Sequence, residues 1–201
     1  RCTIAMTGAA PISTGILEFF RTIGVPLLEV YGQTESTGVA TAQPVDDVKL
    51  GTVGVAIAGV EVKLGDQNEI IMRGGSMFKG YYKSDAATAS TLKDGWLHTG
   101  DVGEWRNGQL KIVDRLKDIM ITAGGKNLSP TEIENTIKAS PYIKECIVIG
   151  EARKYVSALI QIDFDTVAKW AEQQRIAYTT FRSLTEQAQV NELIQAEVSR
   201  G

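Results

Sequence analysis

The sequence is poor in residues that staple or wire a protein together. Its 201 residues include two cysteines and one histidine. Cys2 and Cys146 are too few and too far apart for a metal cluster or a disulfide framework. A reducing, cytosolic setting is the expectation. No apolar run approaches the roughly 20 residues that cross a bilayer, and no secretory signal pattern is present. Lys and Arg number 21 against 24 Asp and Glu, a net charge of -3, with both signs interspersed. That excludes a basic footprint for nucleic acid and any transmembrane segment, while leaving peripheral membrane contact and oligomeric state open.

What is present suits one large core or two modest ones, since 43% of residues are hydrophobic. Arg1 runs directly into the apolar Cys-Thr-Ile-Ala-Met, and Ile194 to Gly201 stop in or just after a helical pattern. A piece of a longer protein is therefore expected. Residues 2–6 read as a buried strand. Ser13 or Thr14 caps a helix over 15–23 that Gly24 ends, and residues 27–30 form a second strand. Residues 31–38, Tyr-Gly-Gln-Thr-Glu-Ser-Thr-Gly, read as a polar loop leaving that strand, where α/β folds place ligands. From 51 to 82, short alternating runs punctuated by glycine predict a small barrel or curled sheet. A short helix over 84–92 with Ser84 as its cap follows.

Beyond Asn127, Ser129, Pro130 and Glu132 make a helix start, with Ile133, Ile137 and Leu128 on its apolar side. Strands over 145–150 and 157–163 follow, then helices over 166–174 and 185–199. The first helix faces Val167 and Trp170 inward; the second carries Val190, Leu193, Ile194 and Val198 as a stripe. The fold class is thus α/β and α+β: the end of an α/β domain and a small β-barrel-like subdomain, then a small α+β domain.

Four segments in series carry more than any one of them: Thr-Gly-Ala-Ala-Pro at 7–11, Tyr-Gly-Gln-Thr-Glu at 31–35, Gly-Trp-Leu-His-Thr-Gly-Asp at 95–101, and Asp-Arg-Leu-Lys-Asp at 114–118 with Gly-Gly-Lys-Asn at 124–127. Their order and wording resemble the adenylate-forming superfamily of acyl-CoA synthetases, firefly-type luciferases and peptide-synthetase adenylation domains. FKGYYK, DGWLHTGD and DRLKDIMITAGGKNLSPTEIEN look most like bacterial long-chain fatty acyl-CoA synthetases.

The resemblance implies ATP, Mg2+ and coenzyme A as the small-molecule partners, with a fatty acid as the acid. It divides the chain into 1–115, the end of a nucleotide-binding domain (an α/β remnant to residue 45, a β subdomain from 46), and a mobile domain over 116–201. Gly8, Ala9 and Ala10 are implied to line the adenine and acyl pockets; their small side chains let a flat ring approach the backbone. Tyr31 resembles the aromatic that stacks on adenine, beside Gly32. Thr34 resembles the α-phosphate contact, and Glu35 the carboxylate that binds Mg2+, a hard ion suited to oxygen ligands. Asp101 is implied to accept from both ribose hydroxyls, and Arg115 to contact ribose or phosphates. His98, lacking a nucleophile partner, is expected to serve local hydrogen bonding. Lys117 occupies the hinge position, and Gly124 and Gly125 lie where the pantetheine arm passes. Read without the resemblance, Tyr31 is a core tyrosine, Glu35 a loop acid and Lys117 a solvated charge.

Two family parts are missing from the wording: a Ser/Thr/Gly-rich phosphate loop with its lysine, and a distal catalytic lysine, since Lys169 sits in an unlike Val-Ala-Lys-Trp setting. The expected function is part of an ATP-dependent, AMP-forming fatty acid–CoA ligase, inactive as this piece alone, in a cytoplasmic or membrane-associated setting. The alternatives are a ligase for an aryl or shorter acid, and a non-catalytic binding module.

Overall fold

The computed structural model describes residues 3–10 and 12–200. Two compact units emerge, Arg1–Asp118 and Ile119–Gly201. No helix among the described residues is long and apolar enough to cross a membrane.

The first unit opens with β1 (Ala5–Thr7), α1 (Thr14–Thr22) and β2 (Leu27–Gln33). Ser13 caps α1 by accepting from Ile16 N at 3.4 Å. Gly24, at φ +82°, takes the left-handed conformation that stops the helix. β1 is shorter than the 2–6 expectation; Cys2 lies outside the described residues, and Thr3 and Ile4 are not strand. A 3-10 turn (Thr34–Ser36) links β2 to β3 (Gly38–Ala42), and β4 (Val55–Ala56) completes a four-stranded sheet in the order β1-β2-β3-β4. The expected loop at 31–38 is thus corrected. Tyr31, Gly32 and Gln33 continue β2 and pair with Thr41, Val39 and Gly38. The antiparallel partner satisfies backbone groups that a polar run seemed to leave to solvent.

A second, five-stranded antiparallel sheet contains β5 (Val60–Leu64), β6 (Glu69–Gly74), β7 (Leu92–Lys93), β8 (Trp96–Arg106) and β9 (Gln109–Arg115), with α2 (Asp85–Thr91) before β7. Ser84 makes no side-chain cap to α2, contrary to expectation; its carbonyl instead accepts from the Thr88 hydroxyl at 2.9 Å. Leu97, Thr99 and Asp101 share one buried face of β8 by the two-residue period of a strand. Leu97 joins Ala40, Val60, Ile70, Met72 and Leu110 in the core, against which Tyr31 also packs. Reciprocal backbone bonds between Val53, Gly54 and Leu110, both 2.7 Å, tie the β4 side to β9.

The second unit holds β10 (Met120–Ile121), β11 (Asn127–Leu128), α3 (Pro130–Ile137), β12 (Ile143–Ile149), β13 (Ser157–Ile162), α4 (Phe164–Gln173), α5 (Phe181–Thr185) and α6 (Ala188–Arg200). Ser129 caps α3 through Glu132 N at 3.0 Å, with Pro130 at the first helical position. Leu128 belongs to β11, opposite Met120, rather than to the α3 stripe. The helix expected over 185–199 is α6, which starts later, at Ala188; α5, with its own capping box between Thr180 and Ser183, lies ahead of it and was not expected. Val167, Leu184 and Val190 gather these helices into one core cluster.

Candidate nucleotide site

The site is assembled where strands end. β1 and β2 run parallel, with Thr7 opposite Glu29, so their carboxyl ends point the same way, β2 running on to Gln33. Gly8, Ala9 and Ala10 follow β1 and are exposed. A Cβ on Gly8 would lie 2.8 Å from the Val30 carbonyl oxygen, and Ala9 holds φ +68°. Glycine at 8 therefore lets this turn lie flat on β2.

At the end of β2 the Tyr31 hydroxyl donates to Asp101 Oδ2 at 2.5 Å. Arg115 Nε reaches Asp101 Oδ1 at 2.7 Å. The β8–β9 register sets this pair directly opposite one another, and the long-range contact with Tyr31 joins the two sheets. The Asp101 side chain is 7% exposed whereas that of Arg115 is 53% exposed. Burial pushes the Asp101 carboxyl above its usual range, against the pull of the Tyr31 bond and the Arg115 charge; Asp114 and Glu69 add to the rise. Burial and the neighbouring carboxylate also drive the Tyr31 phenol well above its ordinary value, so it remains a donor. Each Asp101 oxygen thus has one anchored bond and further acceptor capacity.

Beyond Tyr31, Gly32 has a packing reason to be glycine: a Cβ would sit 1.7 Å from the Gly38 carbonyl oxygen. Thr34 is exposed, and among the described residues its hydroxyl makes no hydrogen bond. Glu35 follows in the 3-10 turn, its Oε1 accepting from the Tyr81 hydroxyl at 2.5 Å. No cluster of three or more His, Cys, Asp or Glu side chains suited to a metal occurs among the described residues. One carboxylate with a neighbouring hydroxyl fits Mg2+ held chiefly by phosphates, the arrangement this ion favours.

His98 Nδ1 lies 2.7 Å from Glu69 Oε2, while Glu69 Oε1 accepts from Gly100 N at 2.9 Å. That is the local bonding expected of it. Lys117 is exposed in a turn closed by Asp118 N donating to Arg115 O at 3.0 Å. Gly124 and Gly125 form the exposed tip between β10 and β11, Gly125 at φ +78°. Tyr31, Asp101 and Arg115 are brought together; Thr34 and Glu35 follow the carboxyl end of β2, and the Gly8–Ala10 turn follows that of β1, against Val30. Lys117 stands at the end of the first unit and the two glycines belong to the second.

Sequence reasoning missed Tyr81, Glu69 and Glu29. Tyr81 and Glu35 are 46 positions apart, and no local pattern links them. Glu29 is a partly buried carboxyl pushed up to about 7 by desolvation, with a backbone bond from Gly51 opposing; its Oε2 is buried without a hydrogen-bond partner.

A sequence model of the AMP-binding enzyme matches residues 1–82, and one of the AMP-binding enzyme C-terminal domain matches residues 117–198. The chain belongs to the AMP-binding enzyme family. A putative fatty-acid–CoA ligase of Mycobacterium tuberculosis, fadD11, is 44% identical over 173 residues, covering 85% of this chain and 30% of that protein. Long-chain-fatty-acid–CoA ligase 5 of mouse is 41% identical over 183 residues, covering 84% of this chain and 27% of its own. Among solved structures, O-succinylbenzoate coenzyme A synthetase of Bacillus subtilis, in complex with ATP and magnesium ion, superposes with a TM-score of 0.72 at 28% identity, covering 81% of this chain and 37% of that one. The chain therefore spans under a third of the length of these two ligases and 37% of the Bacillus chain, with which it shares the α/β plus α+β architecture.

Proposed function

We propose that this chain is part of an ATP-dependent, AMP-forming ligase that joins a long-chain fatty acid to coenzyme A. The observation that carries the reading is the Asp101 carboxylate, nearly buried and anchored by Tyr31 and Arg115. Its remaining lone pairs suit two adjacent ribose hydroxyls, and partial burial strengthens such bonds. The names of the mycobacterial and mouse relatives support the fatty-acid class. The ATP and magnesium ion of the Bacillus structure support the nucleotide and the metal.

In this reading the Gly8–Ala10 turn and Tyr31, beside Gly32, take the adenine, and Asp101 with Arg115 takes the ribose. The Thr34 hydroxyl donates to the α-phosphate. Glu35 is the protein ligand of Mg2+, which offsets charge on the phosphate oxygens when bound. A carboxylate oxygen of the fatty acid bonds to the α-phosphorus while its bond to the bridging oxygen breaks and pyrophosphate leaves. The sulfur of coenzyme A then bonds to the acyl carbon, the bond to AMP breaks, and the thiol proton passes to solvent. The side chains named here act by positioning and by charge complementarity. Residues 116–201 form the mobile domain, Lys117 its hinge, and Gly124 and Gly125 flank the pantetheine arm; the setting is cytoplasmic or at a membrane face.

The likeness to an O-succinylbenzoate synthetase favours a second reading, a ligase for another carboxylic acid. The full-length protein, given ATP, coenzyme A and a panel of aliphatic and aryl acids, separates the two. Highest kcat/KM with long-chain fatty acids is expected. Preference for aryl or short acids overturns the chain-length assignment, and absence of AMP release with every acid overturns the ligase reading. The 201-residue chain alone is expected to give no pyrophosphate exchange.

A further inference from the structure

Residues 75–84, which the sequence left without a role, turn back across the Thr34–Ser36 turn. The Thr37 hydroxyl donates to the Ser76 carbonyl, and Phe78 N donates to the Glu35 carbonyl at 2.7 Å. The Tyr81 hydroxyl donates to Glu35 Oε1 at 2.5 Å. Tyr81 is itself fixed. Its N–H donates to Thr88 Oγ1 at 2.9 Å, and its ring meets Phe78 edge-on with centroids 4.9 Å apart. Gly80 carries the backbone so close to α2 that a Cβ would lie 2.7 Å from the Thr88 methyl.

A lone glutamate on a partly exposed turn has several rotamers, and only some of them present an oxygen to a metal held by phosphates. The segment grips Glu35 at its main chain and at one carboxylate oxygen. The other oxygen, Oε2, makes no hydrogen bond among the described residues. We propose that Tyr81 is a positioning residue for the metal-binding carboxylate: by holding Oε1 it fixes the rotamer that turns Oε2 to Mg2+. The inference rests on the reading of Glu35 as the magnesium ligand. Tyr81 acts only through Glu35.

Binding of Mn2+, a paramagnetic stand-in, to the full-length protein with ATP tests this by electron paramagnetic resonance. Tyr81→Phe keeps the ring on Phe78 and removes the hydroxyl. It is expected to weaken Mn2+ binding roughly 10- to 100-fold, the usual cost of losing a group that orients a metal ligand. The melting temperature is expected to hold, and thioester formation from supplied acyl-AMP and coenzyme A to keep its rate. Glu35→Gln serves as the reference: it retains an acceptor for Tyr81 and loses the charge. Binding lost in Glu35→Gln but intact in Tyr81→Phe overturns the positioning role and leaves the Glu35 reading standing. Binding intact in Glu35→Gln overturns that reading and the inference with it. A weakened Tyr81→Phe that also melts earlier assigns Tyr81 to the scaffold and overturns the inference.

Discussion

Asp101 shows how one side chain acquires a role from its surroundings. In a bare Thr-Gly-Asp turn it is a surface acid. On the inward face of β8 it meets the Tyr31 hydroxyl and the Arg115 guanidinium and is 7% exposed. Under the proposed ribose assignment, Asp101→Ala removes the acceptors for two ribose hydroxyls, and it strands both protein donors. Hydrogen bonds to a charged group contribute about 1.5–3 kcal/mol each, so losing two is expected to lower kcat/KM for ATP by about 100-fold or more. Thioester formation from supplied acyl-AMP should fall with it, because the ribose contact serves both steps. Unchanged kinetics in either half-reaction would sink the ribose assignment. His98 shows the opposite case: Glu69 takes up its Nδ1, and nothing in its position calls for chemistry.

At the scale of elements, the glycines divide into those the backbone requires and those it does not. Gly32 sits under the Gly38 carbonyl at the β2–β3 irregularity. Gly32→Ala is expected to cost more than about 3 kcal/mol of stability, because backbone must move to admit the methyl. Gly124 differs. A Cβ there would meet only the Thr122 hydroxyl, at 4.0 Å. Gly124→Ala should therefore change stability by less than about 0.5 kcal/mol, as surface substitutions do, and slow the thioester step while sparing adenylate formation. Urea unfolding and separate half-reaction assays read the two effects; a Gly124→Ala enzyme with normal thioester formation removes the pantetheine from that tip. The same scale explains what could be read in advance. Ser129-Pro130 announced α3 because capping is a local interaction. The continuation of β2 through Gln33 was not announced, since its cause is the pairing partner β3. α5 escaped because a five-residue helix carries too little periodicity to stand out.

For the whole molecule, the division into Arg1–Asp118 and Ile119–Gly201 falls just beyond the turn that holds Lys117. Under the proposed alternation of domains, Lys117→Pro fixes φ where rotation is needed. Adenylate formation should persist, and thioester formation should drop about 100-fold, the scale of loss when reacting groups miss alignment. Single-turnover assays of each step decide it; equal losses in both would remove Lys117 from the hinge.

The amino-acid order alone carried the family, through four short motifs in series, and most helices with the strands β1, β2, β12 and β13, because caps, turns and side-chain periodicity act within a few neighbours. It also singled out Tyr31, Thr34, Glu35, Asp101 and Arg115 for the candidate site, though not Tyr81. Their arrangement came only from tertiary structure. The Tyr31–Asp101–Arg115 contact, the Tyr81 grip on Glu35 and the buried Glu29 carboxyl all join residues on different strands or segments. Their geometry and their shifted protonation depend on what packing removes from water. Burial and long-range register are properties of the folded chain, and no local stretch of sequence contains them.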